Sequence, residues 1–244
     1  MTRLSLDLLV LADLHYIHAA EDVCTIKERR CELGPALIRA AFQDVHKAGV
    51  RPDLLVLLGD LVNNGLAPGA GDDMVELIQV ARETGLQVLA LPGNHDGGYK
   101  RFVEQWGCAP GLHEVGGYGF LIYHDDVAAD DVTTRPAEAL ALPEQVARRR
   151  PDLPLVALQH NPLHPPIEHE YPFILANADL IQRGYHEGGV ILSLSGHYHP
   201  GQAAHAHQGT VYATLAAGCE APFWYAHVRL RGREVEVHAR ALEE

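Results

Sequence analysis

The stretch Asp53-Leu54-Leu55-Val56-Leu57-Leu58-Gly59-Asp60 contains five consecutive aliphatic residues, followed by a glycine and a carboxylate. An apolar run without alternation is typical of a parallel strand that is buried on both faces. Gly59 permits a sharp turn out of the strand and lets the backbone approach a ligand closely. Asp60 is therefore expected at the carboxyl end of a central strand, where ligands bind in open α/β sheets.

Four further apolar runs end in polar side chains in the same way. Residues 6–12 lead into Asp13-Leu14-His15, residues 86–91 into Pro92-Gly93-Asn94-His95-Asp96, residues 153–158 into Gln159-His160-Asn161-Pro162, and residues 190–194 into Ser195-Gly196-His197-Tyr198-His199-Pro200. One such ending could arise by chance, but five that deliver Asp, Asn or His at the same end of a strand indicate a single site.

The composition predicts a globular protein and argues against several partners. Apolar residues make up 47% of the 244 residues, and 32 acidic against 19 basic side chains give a net charge of −13. That charge argues against a nucleic-acid surface or an anionic-membrane surface. No apolar run approaches the roughly 18 residues of a membrane helix, and Asp7 interrupts the only apolar stretch near the start that could resemble a signal peptide. A reduced, cytoplasmic protein is expected.

Histidine and cysteine usage bears on metal binding. The chain has 16 histidines, and histidine is the commonest metal ligand among side chains. The four cysteines have neither the spacing of a zinc ribbon nor that of a CxxC pair, so they are interpreted as inert thiols: Cys24, Cys31, Cys108 and Cys219.

Helical segments separate the strands. Helices are predicted over residues 33–45, from a cap at Asp72 or Asp73 to about Glu83, over residues 99–106, from Pro136 to Arg150, and from a cap at Asn177 or Asp179 to about His186. Three β-rich stretches follow at residues 210–215, 224–230 and 234–238, the last two joined by a hairpin at Arg231-Gly232-Arg233. Residues 124–131 are expected to be a solvated acidic loop, and the proline-rich residues 161–171 an irregular loop beside the site. No linker or repeat is evident, so a single domain over residues 1–244 is predicted.

These blocks resemble the calcineurin-like metallophosphoesterases. The resemblance rests on Asp13-Leu14-His15, Gly59-Asp60 with Asn63, Gly93-Asn94-His95-Asp96, His160 and Gly196-His197-Tyr198-His199, which occur in the family order. It implies an α/β fold of four layers, α/β/β/α, and a dinuclear metal centre. It further implies that Asp13, His15, Asp60 and His199 hold one ion, and that Asp60, Asn94, His160 and His197 hold the other.

The implied chemistry agrees with the residue types. Hydrolysis of a phosphate ester needs a nucleophile at neutral pH and neutralised oxygens, which two ions about 3.5–4 Å apart with a bridging hydroxide supply. Oxygen and imidazole ligands suit Mn, Fe or Zn without choosing among them. By the resemblance, His95 is the catalytic histidine, which either protonates the leaving oxygen or stabilises its charge. The family often has Asp at the position of Asn63, where it orients this histidine; Asn63 can accept a hydrogen bond but carries no charge.

Two classes of function remain open at this stage. The first is a phosphoesterase acting on a small phosphate ester. A phosphodiester such as a cyclic nucleotide is favoured, because no inserted cap is evident and because the small family members that the chain resembles often cleave phosphodiesters; a phosphomonoester is the alternative. The second is a non-catalytic interaction scaffold of the same fold, which the presence of all seven ligands and His95 disfavours. His164 and His169 in the loop at 161–171 are candidates for substrate selection. The sequence predicts no particular oligomeric state.

Overall fold

The apolar run after Asp53 forms a four-residue strand, Leu54–Leu57, whose side chains are buried on both faces. The computed structural model describes residues 4–127, 132–167 and 175–242. The strands are β1 (Ser5–Leu11), β2 (Leu54–Leu57), β3 (Gln87–Ala90), β4 (Gly111–Val115), β5 (Tyr118–Ile122), β6 (Asp126–Val127), β7 (Thr133–Thr134), β8 (Leu155–Leu158), β9 (Val190–Ser195), β10 (Gln202–His207), β11 (Thr210–Thr214), β12 (Trp224–Arg231) and β13 (Glu234–Ala241). The helices are α1 (Gly34–Lys47), α2 (Ala70–Glu83), α3 (Tyr99–Trp106), α4 (Ala137–Leu140), α5 (Leu142–Arg149) and α6 (Ala178–Gly188), and a 3-10 turn, Cys31–Leu33, precedes α1.

Two mixed sheets carry the strands that lead to the site. The first has the order β13-β12-β1-β2-β3, and the second has the order β10-β11-β9-β8-β5-β4. Strands β1, β2 and β3 run parallel, as do β5, β8, β9 and β11. The parallel pairing of β1 with β2 on either side of α1 confirms the predicted strand–helix–strand unit, and the antiparallel pairing of β12 with β13 confirms the hairpin.

Three apolar clusters make this a four-layer α/β/β/α sandwich. In β1, Leu8 and Val10 face a core that lies between the two sheets, whereas Leu9 and Leu11 face a second core that includes Leu37 and Ile38 of α1 and residues of α2. The third cluster lies between the second sheet and helices α5 and α6. Central strands with an apolar layer on each side require unbroken apolar runs, which explains the absence of alternation in the sequence. The predicted fold class is therefore confirmed.

Several local expectations were wrong. The helix predicted over residues 136–150 is interrupted at Ala141, where α4 ends and α5 begins with Pro143 in its first turn. Proline lacks the N–H that would continue the hydrogen bonding of α4, so a new helix starts there. The edge strands β4 and β10 were not predicted. Residues of β4 are mostly half-buried and those of β10 are mostly exposed, without alternation, so neither strand has a periodic apolar signal.

Two acidic residues have roles other than those expected. Helix α2 begins after Gly69, and Asp73, instead of capping it, accepts hydrogen bonds from the backbone N–H groups of residues 18–20. Asp125, placed by the sequence in a solvated loop, is buried because both its oxygens accept hydrogen bonds from the buried guanidinium of Arg135, at 2.7 and 2.9 Å. The remainder of that acidic stretch, residues 128–131, lies outside the described residues.

No helix in the described part of the chain combines the length and the apolarity needed to cross a membrane.

Candidate metal centre

The loops after β1, β2, β3, β8 and β9 converge at one edge of the sandwich, where the two sheets meet. Contacts between the sheets fix this edge: the N–H of His197 donates to both oxygens of Asp13, at 3.1 and 3.0 Å, and the ring Nδ1 of His160 donates to the carbonyl of Leu58, at 2.7 Å. The five strand ends singled out in the sequence are thus adjacent, although they come from two different sheets.

One group of side chains comes from β1 and β9. His15 Nε2 lies 3.2 Å from His199 Nε2, and His199 Nε2 lies 3.7 Å from Asp13 Oδ1. A second group comes from β8 and β9, in which His197 Nδ1 lies 3.0 Å from His160 Nε2. Each group gathers donors that could hold a metal ion.

Asp60 connects the two groups. Its Oδ2 lies 3.6 Å from His15 Nε2 and 3.3 Å from His160 Nε2, while its Oδ1 accepts a hydrogen bond of 2.9 Å from the N–H of His95. A carboxylate between two imidazole clusters can offer an oxygen to two ions at once, the arrangement that a dinuclear centre requires.

The spacing of these donors is suited to metal ions. Ligands about 2.0–2.2 Å from an ion such as Zn²⁺ lie about 2.8–3.6 Å from one another along the edges of its coordination polyhedron. The measured donor separations run from 3.0 to 3.7 Å. The space between the groups also depends on Gly93, since a Cβ at that position would lie 2.6 Å from His160 Nε2 and would meet the Asp60 carboxylate. The residues present therefore fit a pair of ions.

Backbone strain is concentrated at the same strand ends. Asp13, His15, Asp60 and His197 have φ angles of 53°, 44°, 50° and 67°, in the left-handed region that non-glycine residues seldom adopt. Each such residue costs on the order of 1–3 kcal/mol, and strain of this kind accumulates where function requires a particular side-chain direction. Here it turns the side chains of the strand ends toward a common centre.

Burial and neighbouring charges shift the pKa values of the carboxyl and imidazole groups in the centre. Burial raises the pKa of Asp13 and lowers the pKa of His15. Burial would also raise the pKa of Asp60, but the charge and hydrogen bond of His160, together with the nearby His15 and His95, outweigh burial and hold the pKa well below its ordinary value. In turn, burial opposes protonation of His160, yet the charges of Asp60 and Asp13 and the hydrogen bonds to Asp60 and to the Leu58 carbonyl raise its pKa to about 10. The proton on His160 thus compensates the charge of the buried Asp60 carboxylate.

Outer hydrogen bonds set the imidazole tautomers. The Nδ1–H of His160 donates to the carbonyl of Leu58, and the Nδ1–H of His199 donates to Glu220 Oε1 at 2.5 Å, so each ring presents Nε2 to the centre. A carboxylate or carbonyl behind a histidine is the usual support for a metal-binding imidazole. Glu220 belongs to the loop between β11 and β12, which follows no apolar run ending in a polar block, so sequence reasoning did not find it.

Asn94, His95 and Asn63 lie beside these groups. The Nδ1–H of His95 donates to the main-chain carbonyl of Asn63, and the rings of His95 and His15 lie edge to face with centroids 4.6 Å apart. The side chain of Asn63 is directed elsewhere, because its Nδ2 donates to Asp22 Oδ2 at 2.7 Å. Asn94 lines a small cavity of about 70 Å³ together with His160 and His197, which places it next to the second group.

Asp96, the last residue of the block that follows β3, joins two loops of the centre. It is buried, and its oxygens accept hydrogen bonds from the N–H groups of Leu61, Val62 and Gly93, at 2.8, 3.0 and 2.8 Å. It therefore ties the loop after β2 to the loop after β3, and so fixes Asp60 relative to Asn94.

Two open grooves meet at Asn94 and His95. The Asn63 groove has a volume of about 640 Å³ and is lined by Asp22, Asn63, Asn64, Leu66, Asn94, His95, Gly97 and Gly98. The His199 groove has a volume of about 330 Å³ and is lined by Arg29, Asp60, Asn94, His95, His197, Tyr198, His199 and Pro200. Arg29 and Asp22 come from the polar segment that precedes α1, where the sequence offered no periodic pattern to single them out.

His164 does not line either groove. Its ring stacks on that of His207 in β10, with centroids 4.3 Å apart, and lies 5.2 Å from the ring of Tyr212 in β11. His169 lies outside the described residues.

The structure thus combines a four-layer sandwich with clustered carboxylate and imidazole donors at the strand ends that could hold metal ions. The sequence matches the family model of the calcineurin-like phosphoesterases over residues 6–201. The chain therefore belongs to the calcineurin-like phosphoesterase family, and its enzymatic class is that of a phosphoesterase.

Solved structures share the fold at low sequence identity. A dimetal phosphatase from Danio rerio superposes with a TM-score of 0.69 and 16% identity, covering 99% of this chain and 100% of that chain. Purple acid phosphatase PPD1 from seeds of yellow lupin (Lupinus luteus) gives a TM-score of 0.64 and 14% identity, covering 97% of this chain and 51% of that chain. No curated protein matches the sequence significantly.

Proposed function

We propose that this chain hydrolyses small phosphate esters at a centre of two metal ions that share Asp60. The observation that carries the proposal is the position of Asp60 Oδ2, 3.6 Å from His15 Nε2 and 3.3 Å from His160 Nε2, between two separate groups of donors. When bound, two ions would supply a nucleophile at neutral pH and would neutralise the phosphoryl oxygens.

The remaining ligands are assigned by group. Asp13, His15 and His199 would complete the first site with Asp60, and Asn94, His160 and His197 would complete the second. The nitrogen and oxygen donors suit Mn, Fe or Zn. Glu220 and the carbonyl of Leu58 hold His199 and His160 in the tautomer that binds through Nε2.

His95 is assigned the proton transfer to the leaving group. Its Nδ1 is occupied by the carbonyl of Asn63, so its Nε2 is the ring atom available for a proton exchange. A carbonyl accepts but cannot donate, which fixes the proton on Nδ1 and leaves the state of Nε2 to decide whether the ring is an acid. His95 lines both grooves and therefore borders any ester bound across the centre.

A phosphodiester is the favoured substrate. A diester has two organic substituents on phosphorus, and the centre opens on two grooves, of about 640 and 330 Å³, that meet at Asn94 and His95. Each groove could accommodate one substituent while the phosphoryl group faces the metal ligands. A monoester has one substituent and would leave one groove unused.

A phosphomonoesterase is the second candidate. It is favoured by the names of the similar structures, a dimetal phosphatase and a purple acid phosphatase, at 16% and 14% identity. Identity at that level supports a shared fold rather than a shared substrate, so we place this candidate second.

We also propose that residues 1–244 form a single domain, that the protein is cytoplasmic and that it has no nucleic-acid surface. The cytoplasmic location is supported by the four cysteines, which are all free thiols, as expected in a reducing compartment.

The test compares two chromogenic substrates with the same leaving group. Protein reconstituted with Mn, Fe or Zn is assayed with bis(p-nitrophenyl) phosphate and with p-nitrophenyl phosphate at equal metal loading, with metal-free protein as the control. We expect the larger kcat/KM for the diester. A larger kcat/KM for the monoester would reverse the order of the two candidates, and equal rates with and without metal would contradict the metal centre.

A further inference from the structure

Arg29 lies beside the candidate metal centre, although nothing in its sequence context marks it. Its side chain is only 14% exposed. Its Nη1 lies 3.4 Å from His15 Nδ1, and its Nη2 lies 3.5 Å from His199 Nε2. The guanidinium therefore reaches the edge of the first donor group, on the side that forms the His199 groove.

The backbone fixes the position of Arg29. Arg29 forms an isolated antiparallel bridge with Glu220, and the next N–H, of Arg30, donates to the carbonyl of Cys219 at 2.8 Å. Glu220 Oε1 also accepts a hydrogen bond from the Nδ1–H of His199, and it lies 3.9 Å from Arg29 Nε. The loop that contains Glu220 thus positions both His199, a candidate metal ligand, and Arg29.

The guanidinium of Arg29 has more N–H donors than the described residues around it supply acceptors. Arginine has five N–H donors and no acceptor. Among the described residues, Nε makes no hydrogen bond, and the nearest neighbours of the two Nη atoms are imidazole nitrogens at long range. In the proposed centre His199 Nε2 binds an ion, so its lone pair would not be available to Arg29. Buried donors of this kind require an acceptor that the protein itself does not provide.

The charge of Arg29 is suited to an anion. Arg29 is the only arginine or lysine among the described residues that line the His199 groove. The whole chain has a net charge of −13, which by itself repels anions. A guanidinium keeps its charge at every working pH and matches the geometry of two phosphoryl oxygens.

We infer that Arg29 binds a non-bridging phosphoryl oxygen of the substrate and so selects for phosphate anions; this inference rests on the proposed function. His15 lies between Arg29 and His95, 3.4 Å from the guanidinium and with its ring 4.6 Å from that of His95. Arg29 would therefore bind the phosphoryl group from the His199 side, while His95 would transfer a proton to the leaving oxygen from the other side.

Arg30 offers a matched control. It is the neighbouring residue with the same charge, but its side chain is 55% exposed and pairs with Glu32 at 2.8 Å, away from the centre. The variants Arg29→Met, Arg29→Lys and Arg30→Met are each loaded with the same metal. Metal content is measured by elemental analysis, folding by thermal unfolding, and affinity for inorganic phosphate by isothermal titration calorimetry, alongside kcat and KM.

We expect Arg29→Met to weaken phosphate binding and to raise KM by about 10- to 100-fold, the effect of losing a charge-assisted hydrogen bond. Metal content should stay at the wild-type level. Arg29→Lys should give an intermediate affinity, because it keeps the charge but loses the paired donors. Arg30→Met should match the wild type in every measurement.

Three other outcomes overturn the inference in distinguishable ways. Unchanged phosphate affinity in Arg29→Met, with wild-type binding intact, refutes the role of Arg29 alone. Loss of metal in step with phosphate affinity, in both Arg29→Met and Arg29→Lys, shows that Arg29 supports His15 and His199 instead. If the metal-loaded wild type binds no phosphate and cleaves no ester, the proposed function fails and the inference fails with it.

Discussion

The Nδ1–H of His95 donates to the main-chain carbonyl oxygen of Asn63, whereas the side-chain amide of Asn63 donates to Asp22 Oδ2 at 2.7 Å. The ring of His95 is therefore oriented by the backbone of the loop after β2. A substitution that replaces only the side chain at position 63 leaves that carbonyl in place. The role of His95 and the role of the side chain at position 63 can therefore be tested separately.

Replacement of His95 by alanine should lower kcat by roughly 10²- to 10⁴-fold, the usual span for general acid–base assistance. The role begins only when charge grows on the leaving oxygen, so KM and metal content should change little. The loss should be larger for an alkyl or nucleoside ester than for p-nitrophenyl esters, whose leaving group needs less protonation. Steady-state kinetics and elemental analysis on one preparation check this.

The exposed histidine at position 205 gives the control for His95, because His205→Ala removes an imidazole away from both grooves. If His95→Ala loses metal in proportion to activity, His95 is a ligand and the assigned role is wrong. If it loses neither, another group protonates the leaving oxygen.

Replacement of Asn63 by alanine should reduce kcat by less than about tenfold, well short of the span for removal of an acid–base group. The reason is that the main-chain carbonyl still accepts the hydrogen bond from the Nδ1–H of His95. A change in KM is more consistent with the structure, since the Asn63 side chain lines a groove. Kinetics with an alkyl diester check this; a loss of kcat equal to that of His95→Ala would show that the side chain itself orients the ring.

Replacement of Asp60 by asparagine should lower the occupancy of both metal positions and nearly abolish turnover. The Oδ2 atom lies between His15 and His160, and an amide is a weaker and less suitable bridge than a carboxylate. Metal stoichiometry of reconstituted protein checks this. The control is Asp152→Asn, at an exposed position far along the chain in the turn before β8. Loss of a single ion, with the second retained in full, would argue against sharing.

Replacement of Asp7 by asparagine should lower the free energy of unfolding by about 1 kcal/mol near neutral pH, after allowance for solvent screening. Asp7 accepts hydrogen bonds from His227 Nε2 and Arg231 Nη2, at 2.7 and 2.8 Å, at the end of β1 away from the centre. Burial opposes its ionisation, but the bonds from Arg231 and His227 outweigh burial and hold the pKa of Asp7 below its ordinary value of 3.8.

The direction of that shift sets the pH window. A carboxyl with a folded-state pKa below its unfolded-state pKa stabilises fully above about pH 5, and the contribution is lost as the pH falls through the folded-state pKa. Urea unfolding of wild type and Asp7→Asn should therefore differ by a constant amount above about pH 5 and converge below the ordinary value of 3.8. A difference that grows on acidification would contradict the assignment, and Asp152→Asn should show no such dependence.

Much of the centre could be predicted from the sequence, because the signals are local. An unbroken apolar run such as Leu54–Leu57 identifies a strand buried on both faces, and the polar residue that follows it must lie at the strand's end. Repeating that reasoning along the chain gave the strand ends with Asp13, Asp60, His160 and His197. The edge strands β4 and β10 and the break at Ala141 lacked such a signal, because exposed or irregular positions have no required periodicity.

The sequence alone identifies the central buried strands and the metal-binding candidates at their ends. Three contacts are visible only in the tertiary structure. Oδ2 of Asp60, from the first sheet, lies 3.3 Å from Nε2 of His160, from the second. A backbone carbonyl orients His95, and Arg29 forms a β-bridge with Glu220 beside His199. These contacts could not be predicted because they join residues that are far apart in the sequence. Periodicity reports what each residue's own strand or helix buries, whereas contacts between loops that are distant in the sequence depend on how the strands and the two sheets pack, which no local pattern encodes.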